Sequence, residues 1–344
     1  VFTGRAYSRD RKQPFTKSLA MMARSAAIAL CGLGLSLSLS AATAADCPGN
    51  LNALGTSRVI SVDPVEHARL GTMQYAETLP LADKELVLTF DDGPLPPYSN
   101  RILDSLASEC VKATYFVVGR MARAYPAVLR RIRAEGHTIG THSQNHPMIF
   151  NQMPITRVQA EIEDGIASAA TALGDRNAVA PFFRIPGLNR GSAIEIYLQE
   201  RGLMLWSADF PADDWKRIQA NEVLSIALRR LEKKRKGILL LHDIQPATAL
   251  ALPALLRELK ARGYRIVHVV PASVEQPKTA TTPQEWLLAR SRKAWPRVVN
   301  AVAKTSAQRQ QGASAWPAPL ELRPALRPDS LNLRPAFAPL ILSN

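Results

Sequence analysis

The chain has 344 residues, 47% of them hydrophobic and 21% charged, with three cysteines and a formal net charge of +14. This length accommodates one large or two modest domains, and three cysteines make no disulfide framework. The positive charge gathers toward the two ends, and the middle has no basic patch interleaved with aromatics, so no nucleic-acid partner is expected.

The N-terminus reads as an export signal over residues 1–44. A basic lead-in ending near "MMARS" precedes the apolar run "AAIALCGLGLSLSLS", and "AATAAD" offers an Ala-x-Ala site ending at Ala44. A start at Met21 or Met22 makes the tidier signal. The apolar run is shorter than the ~20 residues a membrane span needs, so no stable span is expected once it is removed. The mature protein is expected to work outside the cytoplasm, secreted or in a periplasm, as a monomer. Cys47 and Cys110 would remain in it; export permits a disulfide between them, and free thiols are the alternative.

Residues 45–83 read as an N-terminal extension with room for short strands. From Lys84 to Pro271, apolar β-like runs then alternate with helical patterns. "ELVLTF" leads to a helix around Tyr98 to Ser108, and "ATYFVVG" to one from about Arg123 to Ala134. "HTIGTH" precedes a longer helix over roughly Ile155 to Leu173. "PFFRIPG", a helix near Ala193 to Arg201 and "LMLWSAD" follow. A helix from about Asn221 to Lys234 precedes "GILLLHD", and one near Leu250 to Ala261 precedes "YRIVHVV". This rhythm predicts βα units around a largely parallel sheet, either an open doubly wound sheet or a closed or nearly closed barrel. Neither a Gly-x-Gly-x-x-Gly after the first strand nor a Gly-Lys-Ser/Thr loop is present, so nucleotide binding lacks its usual support. Residues 272–344 turn to Pro, Ala, Gln and Arg, which predicts a loosely ordered basic tail; Trp286 and Trp295 are its candidate docking points.

Polar residues cluster after the β-like runs, in "TFDD", "GTHSQNH", "FFRIPG", "WSADFPADDW" and "LLLHD". The C-terminal ends of parallel strands converge on one face, where sites are built. His142 and His146 are four apart, so a helix or tight turn would aim both imidazoles one way, toward one divalent ion. One nearby carboxylate would complete the ligand set. Asp91 and Asp92 offer two, and whichever the metal does not need would be placed to take a proton from water. His242 could donate a proton to a leaving group, and Arg184 could orient a carboxylate. These parts spell metal-assisted hydrolysis of a carbonyl compound, amide or ester.

The ordered elements TFDDGP, H-x-x-x-H-P, R-x-P, D…DW and LLHD resemble the polysaccharide deacetylase family, the NodB-homology domain or carbohydrate esterase family 4. The resemblance covers residues 84–271 and implies a distorted (β/α) barrel. It further implies a divalent metal, most often Zn2+ with Co2+ or another divalent ion as alternatives, and an N-acetylated glycan substrate such as a chitooligosaccharide or peptidoglycan. It makes Asp91 the general base, Asp92, His142 and His146 the metal ligands, Arg184 the partner of the base and His242 the general acid. Leu240 would line an acetyl pocket, and Pro186 and Trp215 would border the sugar. The third element reads R-I-P-G, which departs from the usual R-x-P-x-G, so its sugar-touching loop is expected to differ. The fourth element is expanded, with Asp209 and Asp214 five apart. Asp209, ending the "LMLWSAD" strand, is the expected support of His242, with Asp213 and Asp214 as alternatives. Other readings of the same elements are an O-acetyl esterase on xylan or a similar glycan and a non-catalytic glycan-binding envelope protein.

Overall fold

The structure, a computed structural model, describes residues 47–287; the expected signal and the tail beyond residue 287 lie outside the described residues. Its strands are β1 (Thr56–Val62), β2 (Arg69–Leu70), β3 (Glu85–Asp91), β4 (Thr114–Val117) and β5 (Thr138–Thr141). They continue with β6 (Phe182–Phe183), β7 (Met204–Trp206), β8 (Phe210–Pro211), β9 (Gly237–His242) and β10 (Arg265–Pro271). The helices are α1 (Tyr98–Ser108), α2 (Gly119–Ala124), α3 (Pro126–Ala134), α4 (Ile155–Leu173), α5 (Ser192–Glu200), α6 (Ala220–Lys234) and α7 (Pro246–Ala261).

The helix expected from about Arg123 is divided in two. Tyr125 leaves helical geometry just before Pro126, which has no N–H to continue the first segment and instead opens α3. Helix α7 starts a turn earlier than expected, with Pro246 at its first position.

Every pairing between the named strands is parallel. Going round from β3, the order runs β4, β5, β6, β7, while β3 pairs on its other side with β9, and β9 with β8. Strands β7 and β8 belong to one chain run through Ser207–Asp209, so the ring closes covalently where no ladder joins them. The result is a distorted parallel barrel. Strand β10 pairs with the first residues of β3 and carries β1 as its outer neighbour.

Strand alternation sorts the side chains. Leu86, Leu88 and Phe90 of β3 pack outward in one cluster with Leu103 of α1 and Leu255 of α7. Val87 instead joins Phe116, Phe182, Trp206, Ile238 and Leu240 in a second cluster. The period of two therefore carries Thr89 and Asp91 to the same face as Val87, and His242 to the same face as Leu240. Register completes the placement: Asp91 lies opposite His242 on β9 and Phe116 on β4, Val117 opposite Thr141, and Thr141 opposite Phe183. Asp91, His142, Arg184 and His242 thus stand at the C-terminal ends of neighbouring strands.

The extension and the last described segment close over each other. Cys47 and Cys110 form a disulfide that ties the extension to the end of α1. Trp286, placed by the sequence in the tail, is buried and stacked on His67 with ring centroids 3.4 Å apart. Its carbonyl accepts from Thr78 N, so the folded body runs through to Leu287. Among the described residues, no helix is long and apolar enough to cross a membrane.

The disulfide spans 63 residues of sequence. Removing it with Cys110→Ser should lower unfolding free energy by about 2–4 kcal/mol, since the unfolded chain regains loop freedom. Urea unfolding of mutant and parent under oxidising conditions checks this.

Candidate active site

The two adjacent aspartates of "TFDD" face different partners. The Asp91 carboxylate meets Arg184, whose Nη1 donates to Asp91 Oδ1 at 2.6 Å and to Thr89 Oγ1 at 2.8 Å. Arg184 Nη2 donates to the Ser207 carbonyl at 2.9 Å, and its guanidinium carbon lies 4.1 Å from the centroid of the Phe116 ring. This arginine is fully buried, an expensive position that only such a set of acceptors and an aromatic face makes tolerable.

Asp92 turns the other way. It has φ +79°, a left-handed conformation unusual for a non-glycine residue, and its Oδ1 lies 3.4 Å from His142 Nε2 and 3.2 Å from His146 Nε2. The two histidines sit on a turn, not a helix: Ser143 and His146 both have positive φ, and His146 N donates to Ser143 Oγ. His142 Nδ1 donates to the Arg184 carbonyl at 2.5 Å, which leaves the Nε2 lone pair aimed at Asp92.

These residues fit a divalent ion. Their ligand atoms lie within 4.8 Å of one another, and Asp92 Oδ1 is buried without a hydrogen-bond donor. Tetrahedral coordination at about 2.0–2.1 Å places neighbouring ligands about 3.3 Å apart, close to the two separations observed. Burial, opposed only in part by Asp91, lowers the His142 pKa to about 4, so its imidazole is neutral and ready to ligate. Burial works against a charged Asp92, yet His146 and His242 hold its carboxyl below the usual range.

The acid supporting His242 is Asp214, not Asp209. His242 Nδ1 is 2.8 Å from Asp214 Oδ1, and His242 N and Thr248 Oγ1 both donate to Asp214 Oδ2. Burial disfavours the charged ring, but contact with Asp214 outweighs it and Asp92 and Asp91 add to it. The His242 pKa rises from 6.5 to about 10. Asp209 is spent elsewhere, accepting from Thr72 N, Thr72 Oγ1, Thr78 Oγ1 and Ile238 N. It stands beside the first residues of β9, whereas His242 is the last. Asp213 is also engaged, by Arg230 through two hydrogen bonds and by Lys216 at 2.8 Å.

The remaining predicted residues divide by exposure. Trp215 is 42% exposed and meets His242 edge-on, with ring centroids 5.7 Å apart. Leu240 is buried on the strand face that ends in His242. Pro186 is buried too, and the exposed residue of its turn is Gly187, with φ +60°. Two residues outside the sequence reading also belong here. Thr89 is a hydrogen-bond acceptor for Arg184, and Asp243 lies fully buried beside Gly93 and Ser99. Thr89 could have been found as the polar residue two before Asp91, on the same strand face.

A profile of the polysaccharide deacetylase family matches residues 79–206. The chain is 32% identical over 199 residues to a peptidoglycan-N-acetylglucosamine deacetylase of Bacillus cereus, covering 89% of that protein and 56% of this chain. It is 33% identical over 190 residues to the peptidoglycan-N-acetylglucosamine deacetylase of Listeria monocytogenes, covering 54% of this chain but only 38% of that longer relative. Among solved structures, a peptidoglycan deacetylase from Bdellovibrio bacteriovorus superposes with TM-score 0.56 at 28% identity, covering 68% of this chain and 63% of that one.

The exchange of Asp209 for Asp214 separates two variants. In Asp214→Asn, the His242 titration followed by NMR should fall from about 10 toward 6.5. The folded parent binds this proton more tightly than the unfolded chain does. It therefore stabilises the metal-free protein fully below about pH 6.5, and that share is lost as pH rises toward about 10. The Asp214→Asn variant should lack that pH dependence. Asp209→Ala should leave the titration in place and cost more than about 2 kcal/mol in denaturant, because several buried donors lose their acceptor.

Proposed function

The chain belongs to the polysaccharide deacetylase family, and on that footing we propose that it is an exported, divalent-metal-dependent hydrolase removing N-acetyl groups from N-acetylglucosamine-containing glycan, with peptidoglycan the foremost candidate. The observation that carries this reading is the convergence, at one end of a parallel barrel, of three metal-type ligands, a second carboxylate and an acid-paired histidine. Glycan binding alone requires no such set, which is why a purely binding protein is the poorer account.

In this reading Asp92, His142 and His146 hold the ion, with zinc well suited to two imidazoles and one carboxylate. The bound ion would polarise an acetyl carbonyl and acidify water. Asp91 acts as general base. Arg184 fixes its Oδ1, while its Oδ2 lies 3.9 Å from His142 Nε2, on the side of the ligand cluster. His242, held through Nδ1 by Asp214, whose contact favours the protonated ring, delivers a proton from Nε2 to the departing amine. The base thus removes one proton from water and the acid returns one to nitrogen, which yields acetate and a free amine. Leu240 supplies an apolar wall for the acetyl methyl, and Trp215 an exposed aromatic face for a sugar ring.

Export is supported by the disulfide, which belongs to an oxidising compartment, and by the cell-wall polymer named for the relatives.

Acetate release from peptidoglycan, chitooligosaccharide and acetylated xylan, with and without chelator, tests the reading. Chelator-sensitive release from the first two is expected. Release from xylan alone would make the protein an esterase, and no release from any would leave a binding protein. Asp92→Ala should lose metal by elemental analysis. Asp91→Asn should keep its metal and lose roughly 10²–10⁴-fold in turnover.

A further inference from the structure

Asp243 follows the acid histidine and is fully buried, yet nothing in the chemistry above uses it. A carboxylate without solvent is costly unless donors meet it. Here the Ser99 hydroxyl donates to Asp243 Oδ2 at 2.5 Å and Gly93 packs directly against the same group, though burial still raises the carboxyl's pKa to about 7. Ser99 Oγ also accepts from Leu95 N at 2.7 Å, so both flanks of the loop after Asp92 are tied to one side chain. The main chain adds a third tie, from Asp243 N to the Asp91 carbonyl at 3.2 Å.

Packing at Gly93 shows how closely the carboxylate is nested. A Cβ built there would lie 2.1 Å from Asp243 Oδ2, so any larger residue would drive the carboxylate from the turn. The residue just before this glycine is Asp92, held at φ +79°. Such a conformation is strained in an L-residue and persists only where its surroundings dictate it.

We propose that Asp243 is a positioning residue whose carboxylate fastens the Asp91–Asp92–Gly93 turn and thereby holds Asp92 Oδ1 in register with His142 and His146. The inference rests on the metal-site reading above. It joins the two halves of the site, because residues 242 and 243 sit side by side at the end of β9. One carries the proton donor, and the other clamps the turn that carries the base and the metal carboxylate.

The test uses the whole protein and zinc alone. Metal-free parent, Asp243→Ala, Asp243→Asn and Ser99→Ala are titrated with zinc against a competing chelator. Acetate release is then measured on the substrate the parent accepts. Asp243→Ala should weaken zinc binding by about 10–100-fold, as removal of groups that orient metal ligands does. Its kcat should fall while KM for the glycan stays near the parent value. Asp243→Asn should recover zinc affinity, since its carbonyl can accept from Ser99 and its nitrogen takes the place of Oδ1, which accepts no hydrogen bond. Ser99→Ala should shift zinc affinity in the same direction by less, and it carries the test alone if Asp243→Ala does not fold. Zinc affinity unchanged in the folded variants, with only a lowered melting temperature, would overturn the positioning role. A parent that takes up no zinc would overturn the metal-site reading and this inference with it.

Discussion

Two groups at the mouth of the barrel, the Asp91 carboxylate and the His142 ring, are indexed to one buried cation. Arg184 holds the Asp91 carboxylate with its guanidinium and the His142 ring with its own carbonyl. The Asp91 carboxylate and the His142 ring are therefore positioned by two ends of the same residue. The guanidinium is tolerable inside the barrel because Asp91 balances its charge, Thr89 and Ser207 accept from it and the Phe116 face covers it. The dependence is mutual. Without Arg184, Asp91 would be a buried anion stripped of its guanidinium partner, which is costlier than losing the pair together.

That arrangement follows from parallel strands. Their side-chain period places Val87, Thr89 and Asp91 on one face of β3 and Leu240 and His242 on one face of β9. The ladder between them sets Asp91 directly opposite His242. Apolar residues fill the lower positions and polar residues the last, so the same strands that exclude water from the core deliver ionisable groups to its rim. The helices enter the site through hydroxyls, Ser99 of α1 on Asp243 and Thr248 of α7 on Asp214. They also cover the outward faces through residues such as Leu103 and Leu255.

Polar residues ending apolar runs were legible from the sequence, and so were Asp91, Asp92, His142, Arg184 and His242 as a converging set. The support of His242 was not. Asp209 looked like a strand end because "LMLWSAD" reads as one run, but β7 stops at Trp206 and the chain begins again as the two-residue β8. So short a strand carries no readable alternation. Its pairing puts Phe210 beside Leu239 and Pro211 beside Leu240, so the chain is still climbing along β9 when it passes Asp209. Only at Asp214 has it reached the level of His242. The docked Trp286 was missed as part of the folded body for a related reason: local composition describes the segment, while His67 and Thr78, distant in sequence, decide its place.

The electrostatics of His242 tie the proton to the cation. Asp214 makes the direct contact that keeps the ring protonated, and Asp92 and Asp91 reinforce it from the neighbouring strand. A divalent ion held by Asp92 would offset that carboxylate's charge and place positive charge near the imidazolium. Both effects make His242 release its proton more readily. The support from Asp214 would survive metal binding, because it meets Nδ1 directly and lies outside the ligand set. The division among the four carboxylates follows from this. On the proposed reading Asp92 answers to the metal, Asp91 to Arg184, Asp214 to His242 and Asp243 to the turn beneath them.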